Sequence, residues 1–212
     1  MAENLMAHRF RGFLPVAMDL ETTGFDANRH GLLEIAALTF EFVNDELRID
    51  QRLRWAVRPF ATAAIDQASL KVTGIDLDDP ERGAIGEKNA LTELFKVVRK
   101  DIKRHGCQRA ILLAHNAAFD AGFLRSAVAR TRVKRDPFHP FSTLDTASLA
   151  AVFYGHTVLS ETCSRAGIPY EKEKAHSALY DAERCALLFC QMVNTWNASS
   201  PNLLKPPPKP AE

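Results

Sequence analysis

The chain has 212 residues, 46% of them apolar, which fits one large domain with an ample core and excludes an intrinsically disordered protein. Lys and Arg number 27 against 26 Asp and Glu, and the resulting net charge of +1 by itself argues against a strongly basic polyanion binder. No stretch approaches the ~18 apolar residues of a membrane span, so no membrane partner is expected.

The first apolar run, Phe13 to Met18, is too short for a signal-peptide core and runs straight into Asp19. Cys107, Cys163, Cys185 and Cys190 form no CxxC pair and lack zinc-ligand spacing. Four reduced, mostly buried thiols in a cytoplasmic protein are expected.

In chain order, Leu14 to Glu21 reads as a short strand ended by the turn Thr22-Thr23-Gly24. Leu32 to Phe42 fits a strand or a helix by period alone. The loop Asn44-Asp45-Glu46 and the alternating run Leu47 to Val57 favour an antiparallel meander. Residues 61–75 read as a short helix closed by Gly74. Leu91 to His105 carries apolar residues at 91, 94, 95, 98 and 102, an amphipathic helix ended by Gly106. Arg109 to His115 is an apolar run of buried-strand length, followed by a helix over about 118–132. The segment from Arg135 to Phe141 holds two prolines and is not helical. A short strand or turn begins at Leu144, and helices follow over 146–153, 159–166 and 177–196. The order βββαβαβα predicts an α/β fold, a mixed sheet with an antiparallel meander, parallel strands and flanking helices. Residues 1–197 are expected to form one domain. Residues 198–212 hold five of the eleven prolines and read as a disordered, Pro-rich tail.

Three short patterns carry chemistry. Asp19 and Glu21 are two apart on a strand, so both carboxylates share one face at its C-terminal end. Adjacent acids repel unless a cation lies between them, and all-oxygen ligands suit Mg²⁺ or Mn²⁺. The stretch His115-Asn116-Ala117-Ala118-Phe119-Asp120 leaves a strand and opens a helix, where open α/β sheets place ligands. His176 and Asp181 are five apart, so on one helix they diverge by ~140°. They converge only if His176 lies on the loop before the helix, with Ser177 as its cap. Each pattern has a bland alternative: a turn cap, a helix cap, or a surface histidine beside a helix-dipole acid.

Their order is more telling. Asp-x-Glu on a first strand, Asn-x-x-Phe-Asp mid-chain and His-x₄-Asp on the last helix resemble the three motifs of the DEDDh 3′→5′ exonucleases. That family belongs to the proofreading-exonuclease-like superfamily, with a ribonuclease-H-like fold. The likeness covers roughly residues 9–196. Longer segments (HRFRGFLPV, ETTGFDA, LFKVVRK, GCQRAILLAHNAAFD, DPFHPFSTLDTASLA and AHSALYDAERCALLF) resemble its RNA-trimming members.

The resemblance implies a set of roles. Asp19 would bridge two Mg²⁺ ions, with Mn²⁺ as a substitute. Glu21 and Asp181 would complete one ion's shell, and Asp120 would hold the other. His176 would take the proton from the attacking water. Phe25, Phe119 and Phe141 would clamp the last bases, which favours unpaired 3′ ends. The resemblance also implies a Glu and a further Phe from the helix before the Gly74-Ile75 turn. The nearest positions here are Ala68 and Val72, so the family's grip on the 3′ bases, and any base preference that follows from it, does not carry over to this chain.

The +1 is a cancellation. Lys96 to Arg109 carries six bases against Asp101, and Arg125 to Arg135 adds five with no acid. Asp76 to Glu93 carries six acids against two bases. By resemblance, Arg9, Arg11, Arg99, Lys100, Arg109, Lys134 and Arg135 are candidates for an RNA track, used across a homodimer. The function implied is a metal-dependent 3′→5′ exoribonuclease that trims tRNA, rRNA precursors and other stable RNAs and releases nucleoside 5′-monophosphates. Single-stranded DNA is a second expected substrate. The alternatives are a DNA proofreading or repair exonuclease and a catalytically silent nucleic-acid-binding module. Asp145 reads as a helix cap or support, and Glu34 as a buried partner for a basic group.

Overall fold

The structure is a computed structural model and describes residues 5–199. Its centre is β1 (Phe13–Thr22), in which Asp19 alone is not buried. β2 (Leu32–Val43) pairs antiparallel with β1, and β3 (Glu46–Arg58) antiparallel with β2. The β2–β3 turn is Asn44-Asp45, with φ of 51° and 64°. Two consecutive left-handed residues match the twist of a hairpin, and Asn and Asp tolerate that region best after glycine. β4 (Ile85–Gly86) lies parallel to β3 on one edge; β5 (Arg109–Ala114) and β6 (Phe138–Asp145) extend the other side in parallel. The six-stranded order is β4-β3-β2-β1-β5-β6. β1 is therefore the seam where antiparallel pairing with β2 meets parallel pairing with β5.

Seven α-helices surround this sheet among the described residues: α1 (Leu5–His8), α2 (Gln67–Thr73), α3 (Glu87–Arg104), α4 (Ala117–Thr131), α5 (Thr146–Tyr154), α6 (Leu159–Ala166) and α7 (Ala178–Ser199). β1 and most of β2 are buried without alternation, as strands covered on both faces. α7 packs across β1, β2 and β3; α3 packs on the same strands and β5, and α4 on β5, β6 and β1.

Several elements differ from the sequence expectation. α2 starts at Gln67 rather than 61, because Asp66 accepts the Ala68 N–H and caps it there. α3 starts four residues before Leu91. Its first turn, Glu-Lys-Asn, hides it from apolar periodicity, yet Glu87 is buried by a two-pronged pair with Arg130 and by the Leu32 N–H. β6 starts inside the proline segment, at Phe138. It is an edge strand, where Pro140 costs no ladder bond, and its register with β5 is irregular between Phe138 and Thr143. α7 continues to Ser199, two residues past the expected domain end at 197. The Pro-rich tail beyond Ser199 lies outside the described residues.

Candidate active site

The C-terminal end of β1 carries Asp19 and Glu21 into a cavity of about 590 Å³. Asp120, on the first turn of α4, and Asp181, on the first turn of α7, line the same space. One carboxylate oxygen from each of Asp19, Glu21 and Asp181 lies within 4.8 Å of the other two. The two-residue spacing on β1 thus does what pleat geometry requires, and the last helix supplies the third acid.

This crowding has an electrostatic signature. Burial, then Asp120, Glu21, Asp181 and Glu34, hold the Asp19 carboxyl well above its ordinary range. Burial and the charges of Asp181, Glu34 and Asp120 push Glu21 up to about 8. Asp120 is also raised to about 8 by burial, against the pull of backbone N–H groups of Asp120 and Leu20. Asp181 is raised by burial, partly offset by the His176 N–H. Four clustered acids, three of them buried, that resist ionising together are a site short of positive charge. The donors are all oxygens, which fits hard divalent cations.

His176 lies just before α7 and faces the cavity. Its φ is 64°, uncommon for a residue with a Cβ. Its N–H donates to Asp181 Oδ2 at 2.8 Å, so the turn brings His176 and Asp181 together. The other oxygen, Oδ1, accepts the Tyr170 hydroxyl at 3.3 Å. His115 is fixed from both sides, by Thr146 Oγ1 at 2.9 Å and the Thr157 carbonyl at 2.7 Å. Asn116, with φ 68°, donates its N–H to Asp145, which also caps α5 at Ala147.

Two of the three aromatic candidates reach the cavity. Phe25 is 80% exposed and meets Phe119 edge-on at 6.3 Å; Phe119 in turn packs on Phe123 at 4.9 Å. α2 also lines the cavity, with Ala68, Ser69, Val72 and Thr73. Phe141 does not line this cavity. It is 78% exposed on the edge strand β6, with its ring against His139 at 4.5 Å.

The basic candidates also lie outside the cavity lining. Arg99 donates to the Arg135 carbonyl, Arg109 to that of Phe138, and Arg125 to that of Pro140. Both basic stretches therefore meet around residues 135–140. Arg9 and Arg11 lie over the rings of Phe10 and Phe13. Lys100 and Lys134 are exposed.

A family model described as Exonuclease matches residues 16–189. Ribonuclease T of Escherichia coli (strain K12) is 52% identical over 194 residues, covering 90% of this chain and 89% of the relative. Ribonuclease T of Hahella chejuensis is 53% identical over 192 residues, covering 90% and 88%. The chain belongs to the ribonuclease T family. Solved structures agree on the fold. The nuclease domain of 3′hExo, a DEDDh family member bound to rAMP, superposes with a TM-score of 0.69 at 20% identity, covering 86% of this chain and 92% of that one. A full-length 3′-exonuclease gives 0.68 at 20% identity, with this chain spanning 61% of its length. Exonuclease I of E. coli, in complex with a dT13 oligonucleotide, gives 0.67 at 16% identity, covering 88% of this chain and 42% of that one.

Membership of the ribonuclease T family makes the chain a hydrolytic nuclease that uses divalent metal and acts on nucleic acid. Among the described residues no helix is long and apolar enough to cross a membrane. Sequence reading missed one contributor, Tyr170. Its single signal is a lone tyrosine six residues before His176, and only the fold shows that its hydroxyl reaches Asp181.

Proposed function

We propose that this chain is a 3′→5′ exoribonuclease that trims the single-stranded 3′ ends of tRNA and other stable RNAs and releases nucleoside 5′-monophosphates. The observation that carries this reading is the convergence of Asp19, Glu21 and Asp181 within 4.8 Å, beside Asp120 and His176, in one cavity with the Phe25–Phe119 ledge. The names of relatives about half identical to it support RNA over DNA repair as the cellular substrate. The proposed cations are two Mg²⁺, replaceable by Mn²⁺, and the proposed compartment is the cytoplasm, consistent with four free cysteines.

In this mechanism Asp19, Glu21, Asp120 and Asp181 would hold the cations, whose chemistry would be to lower the pKa of the attacking water and to offset charge on the scissile phosphate. His176 accepts the proton of that water. It does so from an exposed loop position, from which its ring can swing without disturbing the core. Phe25 and Phe119 offer the terminal bases a stacking surface worth ~1–3 kcal/mol per base, which a paired end cannot use.

Phe141 and the basic cluster around residues 135–140 lie outside this cavity. That placement suits a homodimer in which one subunit's Arg9, Arg11, Arg99, Lys100, Arg109, Lys134, Arg135 and Phe141 serve the other's cavity. Sedimentation checks it: a fully active monomer overturns the dimer. The activity itself is tested with matched single-stranded RNA, single-stranded DNA and hairpins with short 3′ overhangs, in Mg²⁺ or chelator. Stepwise, metal-dependent loss of nucleotides from the RNA 3′ end is expected. Inert RNA, or internal cleavage, overturns the reading.

A further inference from the structure

Glu34 is 3% exposed on β2, directly opposite Glu21 across the β1–β2 ladder. One carboxylate oxygen pairs with the Arg54 guanidinium. The other, Oε2, accepts the backbone N–H of Ala178 at 3.1 Å, 144 residues along the chain. Ala178 is the first residue of α7 and stands two residues after His176.

This carboxylate is an awkward one for the fold. Its charge is among the causes that raise both Asp19 and Glu21. A buried carboxylate beside Asp19 and Glu21 is unfavourable even when an arginine faces it. An apolar residue would fill the same place on β2 at lower electrostatic cost. What no apolar residue supplies is an acceptor for the Ala178 N–H, one of the amides that a helix start leaves without an intrahelical partner.

The turn His176-Ser177-Ala178 is thus held at its two ends by different carboxylates. Asp181 Oδ2 takes the His176 N–H, and Glu34 Oε2 takes the Ala178 N–H. Between them His176 keeps its left-handed φ of 64°. Such a conformation is unfavourable for a residue with a Cβ and persists only where its surroundings fix it. With the Ala178 anchor released, the histidine stays on its loop but loses its set position against the acid cluster.

The geometry points to Glu34 as a positioning residue for His176: through the Ala178 amide it sets where the base stands, without touching substrate. This inference rests on the reading of His176 as the base. It assigns Glu34 no place in the cation shell.

The test is a double-mutant cycle on single-stranded RNA with Glu34→Met, Glu34→Gln and His176→Ala. Glu34→Met keeps the volume and removes both charge and acceptor. It is expected to lower kcat about tenfold or more with KM little changed. Glu34→Gln retains a carbonyl acceptor and is expected to recover most of that loss. In the His176→Ala background, Glu34→Met is expected to cost less than about twofold, since both act through one group. Because Glu34→Met leaves the Ala178 N–H without an acceptor, its Tm is expected to fall modestly with the chain still folded, and amide exchange over His176–Ala178 should rise while turnover falls. Equal losses in both backgrounds, full turnover in Glu34→Met, no recovery in Glu34→Gln, or a Glu34→Met chain that does not fold each overturn the inference. Full turnover in His176→Ala alone overturns the assignment of the base, a result that is distinct from all of these.

Discussion

Single side chains carry this site, and they differ in how plainly the sequence declares them. Asp19 and Glu21 are legible because a strand's period of two leaves no choice of face. Asp181 and His176 are legible only if the helix starts between them, and it does, at Ala178. Tyr170 and the partner of Glu34 are not legible, because each depends on a contact between remote segments. Asp19→Asn and His176→Ala are expected to lower kcat by at least about 10²-fold each while Tm stays at or above the parent value. A labelled single-stranded RNA in Mg²⁺ reads the first quantity and thermal melting the second. Tyr170→Phe removes one hydroxyl that orients Asp181 and nothing else. Cation affinity of the substrate-free protein, measured by calorimetry with Mn²⁺, should weaken about tenfold, as for other groups that orient a ligand. Unchanged affinity would show that the Tyr170–Asp181 bond is incidental.

At the scale of elements, what periodicity sees is recovered and what it cannot see is not. The buried strands and the amphipathic part of α3 follow from apolar patterns. The start of α3 is set by a buried ion pair, and the start of α2 by a cap, and neither leaves an apolar trace. α2 also forms part of the cavity wall, with Ala68, Ser69, Val72 and Thr73. Ser69 Oγ already donates to Asp66 and Thr73 Oγ1 to the Leu70 carbonyl, so neither hydroxyl has a proton left to donate to a base edge. Ala68 and Val72 present only small apolar surface. Base preference at the 3′ end is accordingly expected to be weak. Val72→Phe adds a stacking face to the cavity that Phe25 also lines and should lower KM for single-stranded RNA about fivefold or more, leaving kcat within about twofold. Matched homopolymer substrates check both expectations; a strong preference in the parent chain would show that another group reads the base.

Over the whole molecule, the acid cluster ties folding to pH and to cations. Glu21 moves from an ordinary 4.5 to about 8 on folding, and Asp120 from 3.8 to about 8. Between those values the folded chain binds more protons than the unfolded one, so stability falls as pH rises through that window. In chelator, Tm is expected to drop between about pH 5 and pH 8. Added Mn²⁺ should raise it more at the upper end, where the ligands are ionised. A Tm in chelator that climbs across this range would contradict the arrangement of the acids. The net charge of +1 gave no hint of this, because it sums a basic surface and an acidic cavity that the fold keeps apart.

β1, the seam of the sheet, also governs when the site can exist. Its two acids are made early in synthesis, whereas Asp181, His176 and the Ala178 anchor arrive with the last helix. Glu34 and Ala178 meet only across 144 residues of chain. A polypeptide that has not yet made α7 therefore holds Asp19, Glu21 and Asp120 but lacks Asp181, His176 and the Ala178 anchor, so the cavity with its full lining is expected only once α7 is in place.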